Sequence, residues 1–391
     1  MPREAIYADH HATTPLRPEV RAAMEPWLGA AANASSIHAA GRKARRAVEE
    51  SRSEVARALG ARDEEIVFTS GGTESNNLAV RGGAWASRSE DPRRTLVAVS
   101  AAEHAAVREA AASLVAENFE LVELGVDANG LVHAEELARL DERVALVSLI
   151  YASNETGVVQ ANLGEHAELL ASKNIVLHSD AVQAVGKTPV NVSTLGVDYL
   201  GLTAHKLGGP QGAGALFVRK GRRLRPLVFG GGQEKGRRPG TENVAAIVGL
   251  GAAIRIATAA IAEESARLAR LVGRFEEGLT EACPEVRFHG RGASRLPTVS
   301  SVMFPGVSGE TLLVALDLEG VAASSGSACS SGTTAPSRVL LSLGLAVHEV
   351  RSTIRFSFGW STVDSDVSRL LEIVPPLVAR VRRATRLGVS A

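Results

Sequence analysis

Apolar residues fall along this chain in two rhythms. Short unbroken runs at 66–68, 96–99, 144–150, 175–177 and 199–202 are each closed by small or polar residues. Runs this short predict strands, and the continuous one at 144–150 suits a central strand buried on both faces. Elsewhere the apolar positions recur every three or four residues, which predicts helices. One begins near Pro18, a charged amphipathic one covers 41–59, and another starts at Glu74. A long one runs from Ile247 to about Ala282, with Leu268, Leu271, Val272, Phe275 and Leu279 on one face. Further strands and helices follow at 299–304, 310–318 and 339–343. The chain therefore reads as α/β, with a long helix near residue 260 linking a large domain to a smaller one.

Composition narrows the class without naming a chemistry. The 391 residues suffice for two domains, and 45% apolar content is ordinary for a globular protein. Lys plus Arg equals Asp plus Glu, at 43 each, so no basic excess points to nucleic acid. The opening MPREAIYADHH lacks the apolar core of a signal peptide. The longest uncharged apolar stretch, 244–254, stops at Arg255 and is too short to span a bilayer. A soluble cytoplasmic protein is expected, with no membrane partner. The two cysteines, Cys283 and Cys329, form no metal-ligand spacing and no disulfide framework.

The chemistry concentrates in DYLGLTAHKLGGPQGAGALFV, residues 198–218. A strand ends there in Thr203-Ala204-His205-Lys206, and a glycine-rich turn follows. Open α/β sheets bind ligands beyond their strand ends. A lysine held there in a desolvated pocket, or beside other cations, becomes a nucleophile able to condense with an aldehyde. Upstream, IVLHSDAVQAVGK places Asp180 after another apolar run. A pyridoxal phosphate enzyme needs both: a Schiff-base lysine, and a carboxylate that keeps the pyridine nitrogen protonated. A strand-turn-helix at EIVFTSGGTESNNLAVRG adds Gly72 and Thr73 at a helix start, where backbone N–H groups face an anion. By local pattern alone Thr73 serves equally as a simple helix cap.

With HSDAVQ, TAHKLGGPQG and SSGSAC in view, the chain resembles the class V aminotransferase-type enzymes of the NifS/IscS group, the cysteine desulfurases. The resemblance runs from DHHATTPLRPEV to IRFSFG. It implies the type I fold of pyridoxal phosphate-dependent transferases: a mostly parallel central sheet flanked by helices in a large domain over 15–260. A smaller α/β domain of 1–14 plus 261–391 would carry the catalytic cysteine loop. Lys206 takes the Schiff-base role and Asp180 that of ring-nitrogen partner. His104 stacks on the ring and can move protons; Asn154 lies beside cofactor and substrate. Gln183 hydrogen-bonds the phenolic oxygen, while Thr203, His205, Gly72 and Thr73 contact the phosphate. Thr241, in FGGGQEKGRRPGTEN, reaches the phosphate of a neighbouring subunit, which implies a homodimer.

Cys329 sits among small and hydroxyl residues in ASSGSACSSGTTAPSRVLLSLG, a composition that predicts an exposed, mobile loop. The resemblance makes it the nucleophile that takes sulfur from the substrate, L-cysteine. Arg355 matches the arginine that grips the substrate carboxylate in a two-pronged contact. Cys283, at a predicted helix end, reads as structural. Departures from the family pattern are His10-His11, expected at the pocket rim, Ala34 in place of a proline, and Thr334-Ala335 after the cysteine. The implied reaction converts L-cysteine to L-alanine, leaves a persulfide on Cys329, and passes the sulfur to an acceptor such as an iron–sulfur scaffold protein or a thio-cofactor pathway. Two other readings remain on these residues. One is a different enzyme on the scaffold, a selenocysteine lyase or an aminotransferase; the other is an inactive sulfur-transfer scaffold.

Overall fold

The computed structural model describes residues 5–325 and 335–386. Its largest sheet has seven strands in the order Ile66–Thr69, Gly214–Val218, Tyr199–Thr203, Leu177–Asp180, Val144–Ser148, Leu96–Ser100, Glu120–Leu124. Gly214–Val218 is antiparallel to both neighbours, and all other pairings are parallel. All but the edge strand Glu120–Leu124 are buried along their length, which is why they read as unbroken apolar runs. Side chains alternate between two cores. On one face Phe68, Ala98, Val147 and Leu202 pack with the helices Ala39–Leu59 and Val244–Ala259. On the other, Val67, Val97, Leu146 and Leu216 pack with Gly83–Glu90 and Ala105–Ser113.

A separate apolar core gathers residues from both ends of the described chain. Its antiparallel sheet runs Ser324–Ser325, Thr353–Ser357, Val299–Met303, Arg287–Phe288. Ile6–Tyr7 pairs in parallel with Val321–Ala322. The helices Ile261–Ala282 and Asp364–Arg386 pack against each other over this core. The long helix expected from Ile247 is thus two helices, Val244–Ala259 and Ile261–Ala282, bent by 72° about Ala260. Ala260 leaves helical geometry at φ −102°, ψ 4°. The cause is burial: Val244–Ala259 is apolar nearly all round and enclosed by the large sheet's helices. Ile261–Ala282 has only one apolar face and must turn to lay Leu268, Leu271, Phe275 and Leu279 on the second core. Among the described residues no single helix is long and apolar enough to cross a membrane.

Candidate active site

The parallel strands end at one edge of the sheet, and the loops beyond them enclose a cavity of about 600 Å³. It is lined by Gly72, Thr73, His104, Asn154, Asp180, Gln183, Thr203, His205 and Lys206, all expected at the site, and also by His11, Asn76 and Gln211. At one end the helix begins at Gly72, two residues earlier than expected. Gly71 holds φ +157°, and a Cβ on Gly72 would lie 2.7 Å from Val182 Cγ2. Backbone this close to the cavity leaves no room for a side chain and presents N–H groups with the positive end of the helix. Thr203 closes the same end, its Oγ1 donating to the Ala213 carbonyl at 3.0 Å.

Asp180 lines this space from the end of its strand, and Lys206 from the 3-10 turn Ala204–Lys206 that follows the neighbouring strand Tyr199–Thr203. Lys206 Nζ donates to the carbonyls of His11 at 2.5 Å and Ala12 at 2.6 Å. The N-terminal segment is clamped over it by Thr14 N to His205 O and Arg17 N to Gly208 O. Asp180 is the last residue of its strand, whose range Leu177–Asp180 falls later than the apolar run suggested. Its Oδ1 accepts from Val182 N at 2.9 Å and its Oδ2 from Asn76 Nδ2 at 2.6 Å. Burial pushes the Asp180 carboxyl up; His104, the Val182 N–H, Asn76 and Lys206 pull it back down. Asn76 escaped the sequence reading, although it lies three residues beyond Thr73 and so on the same helix face. His104 Nδ1 accepts from Ala106 N at 3.1 Å and caps the helix Ala105–Ser113, so the neutral ring carries its proton on Nε2.

Behind the cavity lies a polar chain that the sequence reading also missed. Ser148 Oγ donates to Glu103 Oε1 at 2.7 Å and meets His178 Nδ1 at 2.8 Å, all three side chains being buried. Ser148 and His178 are register partners on adjacent parallel strands. Burial, with Asp180 nearby, raises Glu103 to about 8, while burial lowers His178 to about 3. Both are therefore neutral at neutral pH, and no second negative charge sits beside Asp180. A carboxyl that binds its proton more tightly folded than unfolded stabilises the fold at low pH. That contribution fades as pH rises from about 4.5 through about 8. Glu103→Gln should therefore flatten the fall in urea midpoint across this window; an unchanged profile would refute the neutral assignment.

Arg355 lies buried on the strand Thr353–Ser357. One of its nitrogens donates to the Asn154 carbonyl at 3.1 Å and another to Asp9 Oδ1 at 2.8 Å. Asp9 Oδ2 accepts from Ser324 Oγ at 2.9 Å. Arg355 Nε and Asn154 Oδ1 are buried with no protein partner; Asn154 lines the cavity, whereas Arg355, engaged with Asp9, is not among its lining residues. His10 and His11 are not rim residues: each is about 1% exposed. His11 bonds the Asn154 carbonyl through Nδ1 at 3.1 Å and Thr298 Oγ1 through Nε2 at 2.8 Å, tying the cavity to the second core. Thr241 is exposed and does not line this chain's cavity. Cys329 lies outside the described residues; Cys283 is buried against the second core.

The residues present fit a pyridoxal phosphate. An amine, a buried carboxylate held by two donors, and a helix start bared by glycine converge on one cavity large enough for it. Residues 6–370 match the aminotransferase class-V family. The cysteine desulfurase IscS of Dictyoglomus turgidum is 42% identical over 384 residues, covering 98% of this chain and 96% of that protein. The solved NifS-like protein from Rickettsia africae matches with a TM-score of 0.86 at 31% identity, over 96% of this chain and 100% of its own. A structure described as SspA in complex with cysteine matches at 0.79 and 32% identity, over 90% and 98%.

Proposed function

The chain belongs to the aminotransferase class-V family, and we propose on that premise that it is a pyridoxal phosphate-dependent cysteine desulfurase converting L-cysteine to L-alanine. The observation that carries the reading is the convergence of Lys206 and Asp180 on one cavity whose far end is the start of the helix at Gly72. Lys206 would hold the cofactor through Nζ, Asp180 its ring nitrogen, and Gln183 its ring oxygen. Gly72, Thr73, Thr203 and His205 would hold its phosphate. When bound, the cofactor supplies a sink for the electrons left at the substrate α-carbon.

The chain's own residues do the rest. Arg355 and Asn154 receive the substrate carboxylate, using the buried Arg355 Nε–H that lacks a protein partner. Lys206 Nζ would take the α-proton. Burial, then Lys206 and Lys187, lowers His205 to about 4, so it adds no charge beside the lysine. His104 lines the cavity and would stack on the ring and take part in proton transfer. Cys329 as thiolate attacks the substrate sulfur: the S–S bond forms, the Cβ–S bond breaks, and its electron pair stays on the organic fragment. That fragment takes up a proton at Cβ, regains one at the α-carbon from Lys206, and leaves as alanine. The persulfide on Cys329 then passes to an acceptor protein, of the kind that builds iron–sulfur clusters or thio-cofactors.

The same reading assigns residues 15–260 to the cofactor domain and 1–14 plus 261–391 to the small one. It makes the enzyme a cytoplasmic homodimer in which Thr241 serves the partner's phosphate. Its test is the products: with L-cysteine and a thiol reductant, the cofactor-loaded protein should release alanine and sulfide in equal amounts. Pyruvate or an amino-group acceptor product in place of alanine would overturn it.

A further inference from the structure

The turn after Asp180 brings a second lysine to the back of the site. Gln183 and Lys187 are four residues apart, on a short helical turn closed by Val185 N to Ala181 O and Thr188 N to Ala184 O. Gly186 ends that turn at φ +73°, where a Cβ would also lie 2.6 Å from Leu207 Cδ2. The Lys187 side chain is consequently folded back beneath Gln183. Its Nζ donates to Gln183 Oε1 at 2.5 Å, and Gln183 Nε2 donates to the His11 carbonyl at 2.9 Å. The same carbonyl accepts from Lys206 Nζ. An unbroken chain of hydrogen bonds thus runs Lys187, Gln183, His11, Lys206. Lys187 and Lys206 also both line a void of about 50 Å³, with His10, Glu264 and Trp360.

A glutamine carboxamide has two faces, and its oxygen and nitrogen edges exchange by a half-turn of the last torsion. We propose that Lys187 is a positioning residue that locks the Gln183 carboxamide with its NH2 edge toward the cavity, so that the N–H left over from the His11 bond faces the cofactor's ring oxygen. The His11 carbonyl can only accept, so it holds the NH2 edge and leaves Oε1 to Lys187, which supplies an N–H donor there whether charged or neutral. Burial, followed by Lys206 and Arg355, lowers the Lys187 ammonium well below its ordinary value; its N–H groups remain. A donor on the amide oxygen also polarises the amide and strengthens its N–H toward the next acceptor. The inference rests on the cofactor reading above.

The test uses Lys187→Met, which keeps length and removes the donor, Gln183→Met, and the double variant. Titrating each apo protein with pyridoxal phosphate should show roughly tenfold weaker binding for each single variant, the worth of one hydrogen bond to a buried group. The absorption maximum of the bound cofactor should move equally in both. The double variant should be no worse than Gln183→Met alone, and Lys187→Arg, which keeps donors at this place, should restore the wild-type maximum. An unchanged maximum in Lys187→Met, or losses that add in the double variant, would overturn the proposal. A wild-type protein that binds no pyridoxal phosphate would instead sink the cofactor reading itself.

Discussion

Lys206→Ala is expected to abolish alanine formation from cysteine while leaving a folded protein. The substitution removes two hydrogen bonds, to the His11 and Ala12 carbonyls, from a half-buried side chain at the cavity wall. No part of either apolar core leans on it. The loss in rate should be several orders of magnitude, because the proposed function makes the amine both the covalent anchor and the base at the α-carbon; removing a group with two such roles leaves only binding. Peptide mapping makes the assignment site-specific. Borohydride reduction of the loaded wild type should leave the pyridoxyl group on the peptide containing Lys206, and the variant should carry none. A pyridoxyl group on Lys187 would hand the anchoring role to the second lysine.

How much of this was legible in the sequence depended on whether one element's needs were local. The inner strands could be read because both their faces are buried, so apolarity alone marks them. Glu120–Leu124 could not, because it is an edge strand whose exposed positions carry charge. The bend at Ala260 has no breaker residue to announce it; it arises from two cores competing for one apolar pattern. Lys206, Asp180 and Cys329 stood out as polar or reactive residues set against apolar runs or in a loop of small ones. The groups that hold them in place did not. Ser148 and His178 are ordinary residues until strand register pairs them, and Glu103 and Asn76 until the fold brings them to Ser148 and Asp180. His10 and His11 looked like rim residues because two adjacent side chains in a polar lead-in point in different directions. In the fold they lie between the two cores, where burial lowers His10 to about 3 and His11 well below its ordinary value.

Cys329→Ser should separate sulfur transfer from every step before it. The exchange replaces a soft nucleophile that ionises readily with a hydroxyl that does not. Lys206, Asp180, Asn154 and Arg355 are untouched, so the variant should bind pyridoxal phosphate normally and show the same spectral change on adding cysteine. It should form alanine at no useful rate and retain no labelled sulfur after incubation with sulfur-labelled cysteine. Cys283→Ser is the matched control. Cys283 is buried beside Leu279 at the end of the helix Ile261–Ala282, its N–H donates to the Leu279 carbonyl, and burial raises its thiol above the ordinary value. Such a thiol is a poor nucleophile at neutral pH, so its loss should cost some stability, about 1–2 kcal/mol for a hydroxyl placed in an apolar core, and leave both readouts intact per folded molecule. Full alanine production by Cys329→Ser would mean that the sulfur departs without a protein thiol, as in a lyase that expels it directly. Loss of labelling in Cys283→Ser with Cys329 intact would move the persulfide to Cys283 and overturn the assignment to Cys329.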